Sequence, residues 1–466
     1  MIRWSAPALL LLFSACEKAP EQVTLRDPLD RIQERGTLRV VTRNAPTTWF
    51  IDREGKDAGP EYDLARSFAD ALAVELELIP AENPEEILAV LQQGDADIAA
   101  AGLTATEARQ RRFDSSPAYQ TVRQQVVCRR GGKRAKRVAE LHNVELAVPR
   151  GSSYVDTLRS LQIQNPRLSW QETDDEDTEA LLERVWRREL DCTIADSNIV
   201  AINRRYYPEL VVTFDISDDQ QLVWYMARPS GGLGDAVAAW LEEIRGNGEV
   251  DAILERYYGF AELFNYVDVR KFLKRIERRL PKFRSMFEAA AEETGLHWTL
   301  LAAQSYQESH WDPRARSPTG VRGIMMLTLT TAREMGVTSR LDPAQSIEAG
   351  ARYLARLRDR LPEEIYEPDR TWIALAAYNV GMGHVRDAFT LAKRLDKVPW
   401  VWKDLKTVLP LLARKKYYKT LRYGYARGWE PVRYVDNIRN YEEMLVQHVR
   451  NHEARTTAVA EREAAE

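Results

Sequence analysis

Cysteine is scarce, with three in 466 residues, too few for a disulfide-built scaffold. Neither Cys128 nor Cys192 has a histidine or another cysteine at metal-ligand spacing, so no metal site is expected. The pair reads by default as two small buried residues, with a disulfide open to them in an oxidising compartment. A surplus of one charge is lacking too. The 66 Lys and Arg against 70 Asp and Glu leave a formal net charge of −4, so composition implies no nucleic-acid partner. The basic run Arg129 to Arg137 reads as a solvated loop. The apolar run Ala8 to Phe13 is too short to span a bilayer stably and, with Arg3 before it and Ser14-Ala15 after, has the form of a secretory signal.

What the chain does have is length, enough for two or three domains each with its own core. The stretch Ala302 to Leu327 organises the rest. Leu301, Gln304, Ser305 and Glu308 fall at helical spacing and share one face. Asp312-Pro313 is expected to end that helix, because a residue before proline is pushed out of the helical region. Ser317, Gly320 and Gly323 then make a loop that can approach a ligand closely, and Ile324 to Leu327 line an apolar wall. Glu308 is left at the edge of an apolar pocket, where desolvation raises a carboxyl pKa and lets the group act as an acid near neutrality.

This segment resembles the catalytic core of the lysozyme-like lytic transglycosylases. Their Glu-Ser, serine and Gly-x-x-Gly-Leu-Met-Gln pattern stands here as Glu308-Ser309, Ser317 and Gly320-Val321-Arg322-Gly323-Ile324-Met325-Met326. Met326 replaces the family's glutamine, a version that resembles the membrane-bound lytic murein transglycosylase F group. Downstream, Ala377-Tyr378-Asn379 and Tyr434-Val435 match two further motifs of the family. The resemblance implies a mainly α, lysozyme-like domain over residues 261–450, with Glu308 as the catalytic acid. Ser317, Asn379 and Tyr434 would orient it and the substrate acetamido group, Tyr378 would reach the cleft, and Met325 would pack beneath a sugar. The implied partner is the glycan strand of peptidoglycan, cut with no metal or cofactor. Asp312, the other local carboxyl group, is read as structural.

Residues 36–260 alternate strands and helices, which predicts a sheet covered on both faces. Gly36-Thr37-Leu38-Arg39-Val40, Gly59-Pro60-Glu61-Tyr62-Asp63-Leu64-Ala65 and Gly94-Asp95-Ala96-Asp97-Ile98 resemble the extracellular solute-binding domains of amino-acid transporters. The implied fold is α/β, periplasmic-binding-protein-like, with two lobes joined by two crossing strands, here Gln124 to Arg129 and Gln221 to Ala227. Arg109 would grip a ligand carboxylate. Ser152 would offer backbone N–H groups at a helix start, Asp196 would meet an ammonium, and Trp49 or Phe50 would stack on a side chain. An amino acid or muropeptide is the implied ligand, and its binding would modulate the enzyme.

Cys16 follows the signal as in a bacterial lipobox. The resemblance implies cleavage after residue 15, lipidation of Cys16, a tether over residues 16–35, and anchorage to the periplasmic face of the outer membrane. Residues 451–466 are polar and small, and are expected to be disordered. The rival function is a glycan-binding or sensing lipoprotein with a non-catalytic lysozyme-like domain. Met326 favours that reading, whereas Glu308, Tyr378-Asn379 and Tyr434 favour the enzyme.

Overall fold

The computed structural model describes residues 26–52, 55–174, 176–260, 266–317 and 320–465. Cys16, the signal segment and the start of the tether lie outside them. The chain opens with two α/β lobes. The first sheet has the strand order Glu75–Pro80, Thr37–Thr42, Ile98–Thr104, Gln220–Ala227, Phe113–Ser115, and Gln120–Val122 also pairs with Gln220–Ala227. The second has the order Gln171–Thr173, Leu146–Pro149, Cys192–Asp196, Gln124–Arg129, Leu210–Asp215. Successive strand residues serve opposite faces. Leu38 and Val40 pack with Phe68 and Trp224 on one side, while Val41 and Ala99 pack with Ile87 and Leu91 on the other. That double burial is why these strands read as near-continuous apolar runs.

The chain passes between the sheets twice, at Arg123 and again after Asp215. The expected crossing strand Gln124–Arg129 is observed, and its companion starts one residue early, at Gln220. Cys128 and Cys192 sit opposite each other on antiparallel strands and form a disulfide with a Cα–Cα distance of 4.3 Å. Both are buried, as the default reading has them, and strand register settles the pairing that the sequence left open.

Two boundary expectations also change. The end of the tether is a helix, Pro28–Arg35, which Asp27 caps and which buries Ile32. The Asp27 carboxylate also accepts the Gly232 N–H at 2.7 Å, fastening this helix to the first lobe. At the other terminus the helix Trp429–Ala465 runs on through the segment expected to be disordered. That segment is rich in Ala, Glu and Arg, and contains no Gly or Pro to stop it.

The remainder is helical. The central helix, Trp298–Ser309, buries every residue from Thr299 to Tyr306, as an element apolar on all sides must. It packs against the helices Arg284–Thr294, Pro343–Asp359 and Trp429–Ala465. Phe272, Trp311 and Tyr441 surround Tyr306, with ring centroids 4.6–4.8 Å from it.

The two domains meet through Phe260. Its ring lies between the guanidinium groups of Arg205 (4.2 Å) and Arg439 (3.9 Å), and Arg439 also covers Trp372 at 3.8 Å. Glu255 takes Lys406 at 2.6 Å and Arg439 at 3.3 Å across the same seam. Burial pulls the Arg439 guanidinium down to about 10, against the pull of Glu255 and Asp436.

Candidate active site and interlobe cleft

Glu308 occupies the last turn of the central helix. That helix ends at Ser309, three residues before Asp312-Pro313, because His310 (φ 55°) turns left-handed. Trp311 (φ 56°) follows in the same region, a conformation that costs a non-glycine residue about 1–2 kcal/mol. Burial of the Trp311 ring and the bond from its Nε1 to the Ala302 carbonyl (2.8 Å) offset that cost. Asp312 is engaged in the turn, where its carboxylate accepts the Arg314 N–H at 2.9 Å.

The loop beyond is pinned under the site. Ser305 and Ser309 hydroxyls both donate to the Ile324 carbonyl, at 3.1 and 2.8 Å, and the Tyr378 hydroxyl donates to the Met325 carbonyl at 3.0 Å. Gly323 (φ 87°) is required, since a Cβ there would collide with the Arg340 carbonyl. Ser317 closes the loop through its backbone, donating its N–H to the Val321 carbonyl at 3.1 Å.

Across from this loop the Tyr434 hydroxyl donates to Glu308 Oε1 at 2.6 Å, and Gln304 Nε2 donates to the same hydroxyl at 3.3 Å. The bond expected between Tyr434 and Glu308 is thus present, made by the helix Trp429–Ala465. Burial raises the Glu308 carboxyl to about 7, and the Tyr434 bond opposes the rise. No second carboxylate perturbs it. Gln304 is fully buried, and its Oε1 has no partner among the described residues. The helical spacing put Gln304 on the Glu308 face, but nothing in the sequence revealed its bond to Tyr434.

Burial, and after it the Glu308 charge, raises the pKa of the half-buried Tyr378 hydroxyl. Asn379 is exposed at the end of the same helix. Met325 is the residue expected to pack beneath a sugar. It is wholly buried, its side chain filling the space that Gly350 leaves open. The half-buried methionine is Met326, held at φ 47°.

In the front domain a small cavity of about 60 Å3 lies between the lobes, lined by Arg43, Thr104, Arg109, Ser152, Tyr154 and Asp196 among others. Three of the four expected ligand residues are there, although Arg109 and Ser152 are already engaged. The Arg109 guanidinium bonds the Thr104 and Gly151 carbonyls at 2.9 and 3.1 Å, and the Ser152 hydroxyl donates to the Pro149 carbonyl at 2.6 Å. Asp196 Oδ1 is buried without a partner among the described residues, and burial lifts its carboxyl to about 7. Trp49 is not among the lining residues. The short hairpin of Phe50–Ile51 with Asp57–Ala58 instead brings its Nε1 to the Asp57 carboxylate at 2.6 Å.

Sequence reasoning missed Arg43. It follows the strand Thr37–Thr42 of the first lobe and reaches Glu179 of the second at 2.8 Å. That ion pair and the Arg109–Gly151 bond hold the lobes together with the chain's own groups. No pattern in the sequence brings Arg43 to Glu179, because their approach depends on how the lobes close.

The architecture and this lone half-buried glutamate held by Tyr434 define a two-domain lytic transglycosylase. Residues 285–401 match the Transglycosylase SLT domain family, and residues 38–260 match the bacterial extracellular solute-binding proteins, family 3. Membrane-bound lytic murein transglycosylase F 1 of Alkalilimnicola ehrlichii is 49% identical over 428 residues, 91% of this chain and 86% of that protein. Membrane-bound lytic murein transglycosylase F of Maricaulis maris is 45% identical over 96% of this chain and 99% of its own. The crystal structure of an ancestral amino acid-binding protein, a precursor of cyclohexadienyl dehydratase, aligns at 26% identity with 50% of this chain and 99% of that one, with a TM-score of 0.43. The chain belongs to the membrane-bound lytic murein transglycosylase F family. Among the described residues no helix is long and apolar enough to cross a membrane.

Proposed function

We propose that this enzyme cuts the β-1,4 bond between N-acetylmuramic acid and N-acetylglucosamine without water, in cell-wall turnover and remodelling. The observation that carries the reading is Glu308, one carboxyl group poised near neutrality by burial and bonded by Tyr434. Glycosidases of the usual kind need two carboxylates. One suffices if the substrate assists.

Protonated Glu308 donates its proton to the glycosidic oxygen, and the C1–O bond breaks. The 2-acetamido carbonyl oxygen closes on C1 as the leaving sugar departs. Glu308, now a carboxylate, takes the proton of the muramoyl C6 hydroxyl, and that oxygen displaces the acetamido group at C1 to leave a 1,6-anhydro end. Tyr434 stabilises the carboxylate stage, and Gln304 fixes the Tyr434 hydroxyl. Exposed Asn379 is the side chain available to an acetamido group, Ser317 belongs to the loop beneath it, and Tyr378 holds that loop.

The front domain, by this reading, takes an amino acid or muropeptide between its lobes, where the unpartnered Asp196 oxygen suits an ammonium group. A ligand of that size must part the Arg43–Glu179 pair, and the Phe260–Arg439 contact is the route by which lobe movement reaches the Tyr434 helix. Lipidated Cys16 would hold the protein at the periplasmic face of the outer membrane, and a Cys16→Ser variant appearing in the soluble fraction would support that anchor.

The deciding test is mass spectrometry of soluble products from purified peptidoglycan, with wild type beside Glu308→Gln. Anhydromuropeptides from wild type alone are expected. Reducing, hydrated ends would refute the non-hydrolytic reading.

A further inference from the structure

Residues 405–429 contain no acidic side chain. Six cations in this stretch are exposed: Arg414, Lys415, Lys416, Lys419, Arg422 and Arg427. Among the described residues only Arg427 has a carboxylate in ion-pair reach, Glu430 at 2.9 Å. A lone charge run is ordinarily a solvated face, but this one is interleaved with large rings left in solvent. Tyr423, Tyr425 and Trp429 are 42, 54 and 48% exposed.

The segment is also fixed in place. The Asp387 carboxylate, itself buried, accepts the N–H groups of Arg422 and Tyr423 at 3.1 and 2.7 Å. The Ala426 N–H reaches the Leu412 carbonyl at 3.2 Å. Arg394 donates to the Thr420 hydroxyl at 2.9 Å and adds a further cation at the edge.

The C-terminal part of the segment, Tyr423 to Trp429, adjoins elements of the active site. The Tyr423 ring lies against Gly383 so closely that a Cβ there would strike it, and Gly383 follows Asn379 by four residues. Trp429 opens the helix that carries Tyr434 to Glu308. The exposed rings of the segment therefore lie beside the elements that carry Asn379 and Tyr434.

We infer that this basic, aromatic rim binds the peptide stems of the glycan strand, its cations pairing with stem carboxylates while its exposed rings lie along the sugars, so that the enzyme selects stem-bearing murein. The inference rests on murein being the substrate. Intact murein carries carboxylates on the peptides of alternate sugars, a spacing that only a surface beside the cleft can use. Exposed pairs are individually weak, and several acting together give about a tenfold preference.

The test compares intact peptidoglycan with the same material after carbodiimide amidation of its carboxylates. Wild-type KM should rise about tenfold on the amidated substrate, and added salt should raise KM on the intact one. A variant carrying R414Q, K415Q, K416Q, K419Q and R422Q should show the raised KM on both substrates, with the loss falling on KM rather than on kcat. All five positions are exposed, so its melting temperature should match wild type.

Equal wild-type KM on the two substrates would overturn the inference. So would sedimentation of wild type, but not of the variant, with phosphatidylglycerol vesicles while amidation left KM unchanged, since the surface would then be a lipid-docking one. Release of no product from either substrate by wild type would instead sink the murein reading, and the inference with it.

Discussion

Replacing Tyr434 with phenylalanine removes one oxygen atom and separates two effects that both act on Glu308. Burial raises the carboxyl to about 7, and the Tyr434 hydroxyl at 2.6 Å holds it from going higher by favouring the charged form. A hydrogen bond to a charged acceptor contributes about 1.5–3 kcal/mol, and one pKa unit corresponds to about 1.4 kcal/mol. Glu308 is half-buried, so solvent replaces part of the lost bond and the lower figure applies, a further rise of about one unit. Because Glu308 must be protonated to act as an acid, the rate falls as pH rises through its pKa. The descending limb of kcat/KM should therefore move from near 7 to near 8. The maximum rate should drop as well, since the carboxylate stage loses its donor. The fully buried Gln304 amide would lose its acceptor, costing about 1–3 kcal/mol of stability. The assay is soluble muropeptide release across pH 5–9, with substrate kept below KM. A lower rate with an unmoved limb would mean that Tyr434 only packs, and a limb moved downward would refute the electrostatic argument.

Three further outcomes are expected. Glu308→Gln should be more stable than wild type at alkaline pH. The folded pKa is raised from 4.5 to about 7, so the stability tied to the protonated carboxyl is full below about 4.5 and is lost as pH rises through about 7. After allowance for residual solvent the gain is about 1–2 kcal/mol at pH 8, read from melting temperatures at pH 5 and 8; no divergence between the two pH values would contradict it. Cys128→Ala with Cys192→Ala opens a loop spanning 64 residues and should destabilise the second lobe by up to about 4 kcal/mol, seen as a lower melting temperature that reductant no longer changes. Glu179→Gln removes the nearer of the two carboxylates that face a largely buried Arg43 and leaves Asp177 at 3.7 Å, costing about 1–3 kcal/mol. The lobes should open, and an unchanged radius of gyration by X-ray scattering would show that this pair does not hold them.

Much of the plan was legible in the sequence because local patterns carry it. The alternation from Thr37 to Thr104, the crossing strand at Gln124, and Glu308 at the end of an apolar helix all follow from spacing and turn residues. The Tyr434 bond was reachable only by motif resemblance, since nothing within a few residues of Tyr434 points at Glu308. What the sequence leaves open lies where partners are distant along the chain. Cys128 and Cys192 pair because two strands come into register. Arg43 meets Glu179 because two lobes close. Met325 belongs to the core because Gly350, on another helix, leaves it a space. The end of the Glu308 helix was misplaced for a different reason. Proline gave a visible stop signal, whereas the actual stop is a left-handed His310 whose cost is met by burying Trp311, and no local rule announces it.

The segment that matches the Transglycosylase SLT family ends at residue 401, yet the hydroxyl that holds Glu308 belongs to Tyr434. The smallest working unit is therefore larger than the recognisable one. A fragment cut at 401 would keep every residue of the glutamate motif and still leave its acid without a donor. The same holds for a chain still being made or exported. Glu308 and Tyr434 are 126 residues apart, so the acid acquires its partner only once the helix that begins at Trp429 has emerged and docked. A lytic transglycosylase thus becomes competent only after an element well outside its recognisable segment has folded onto it.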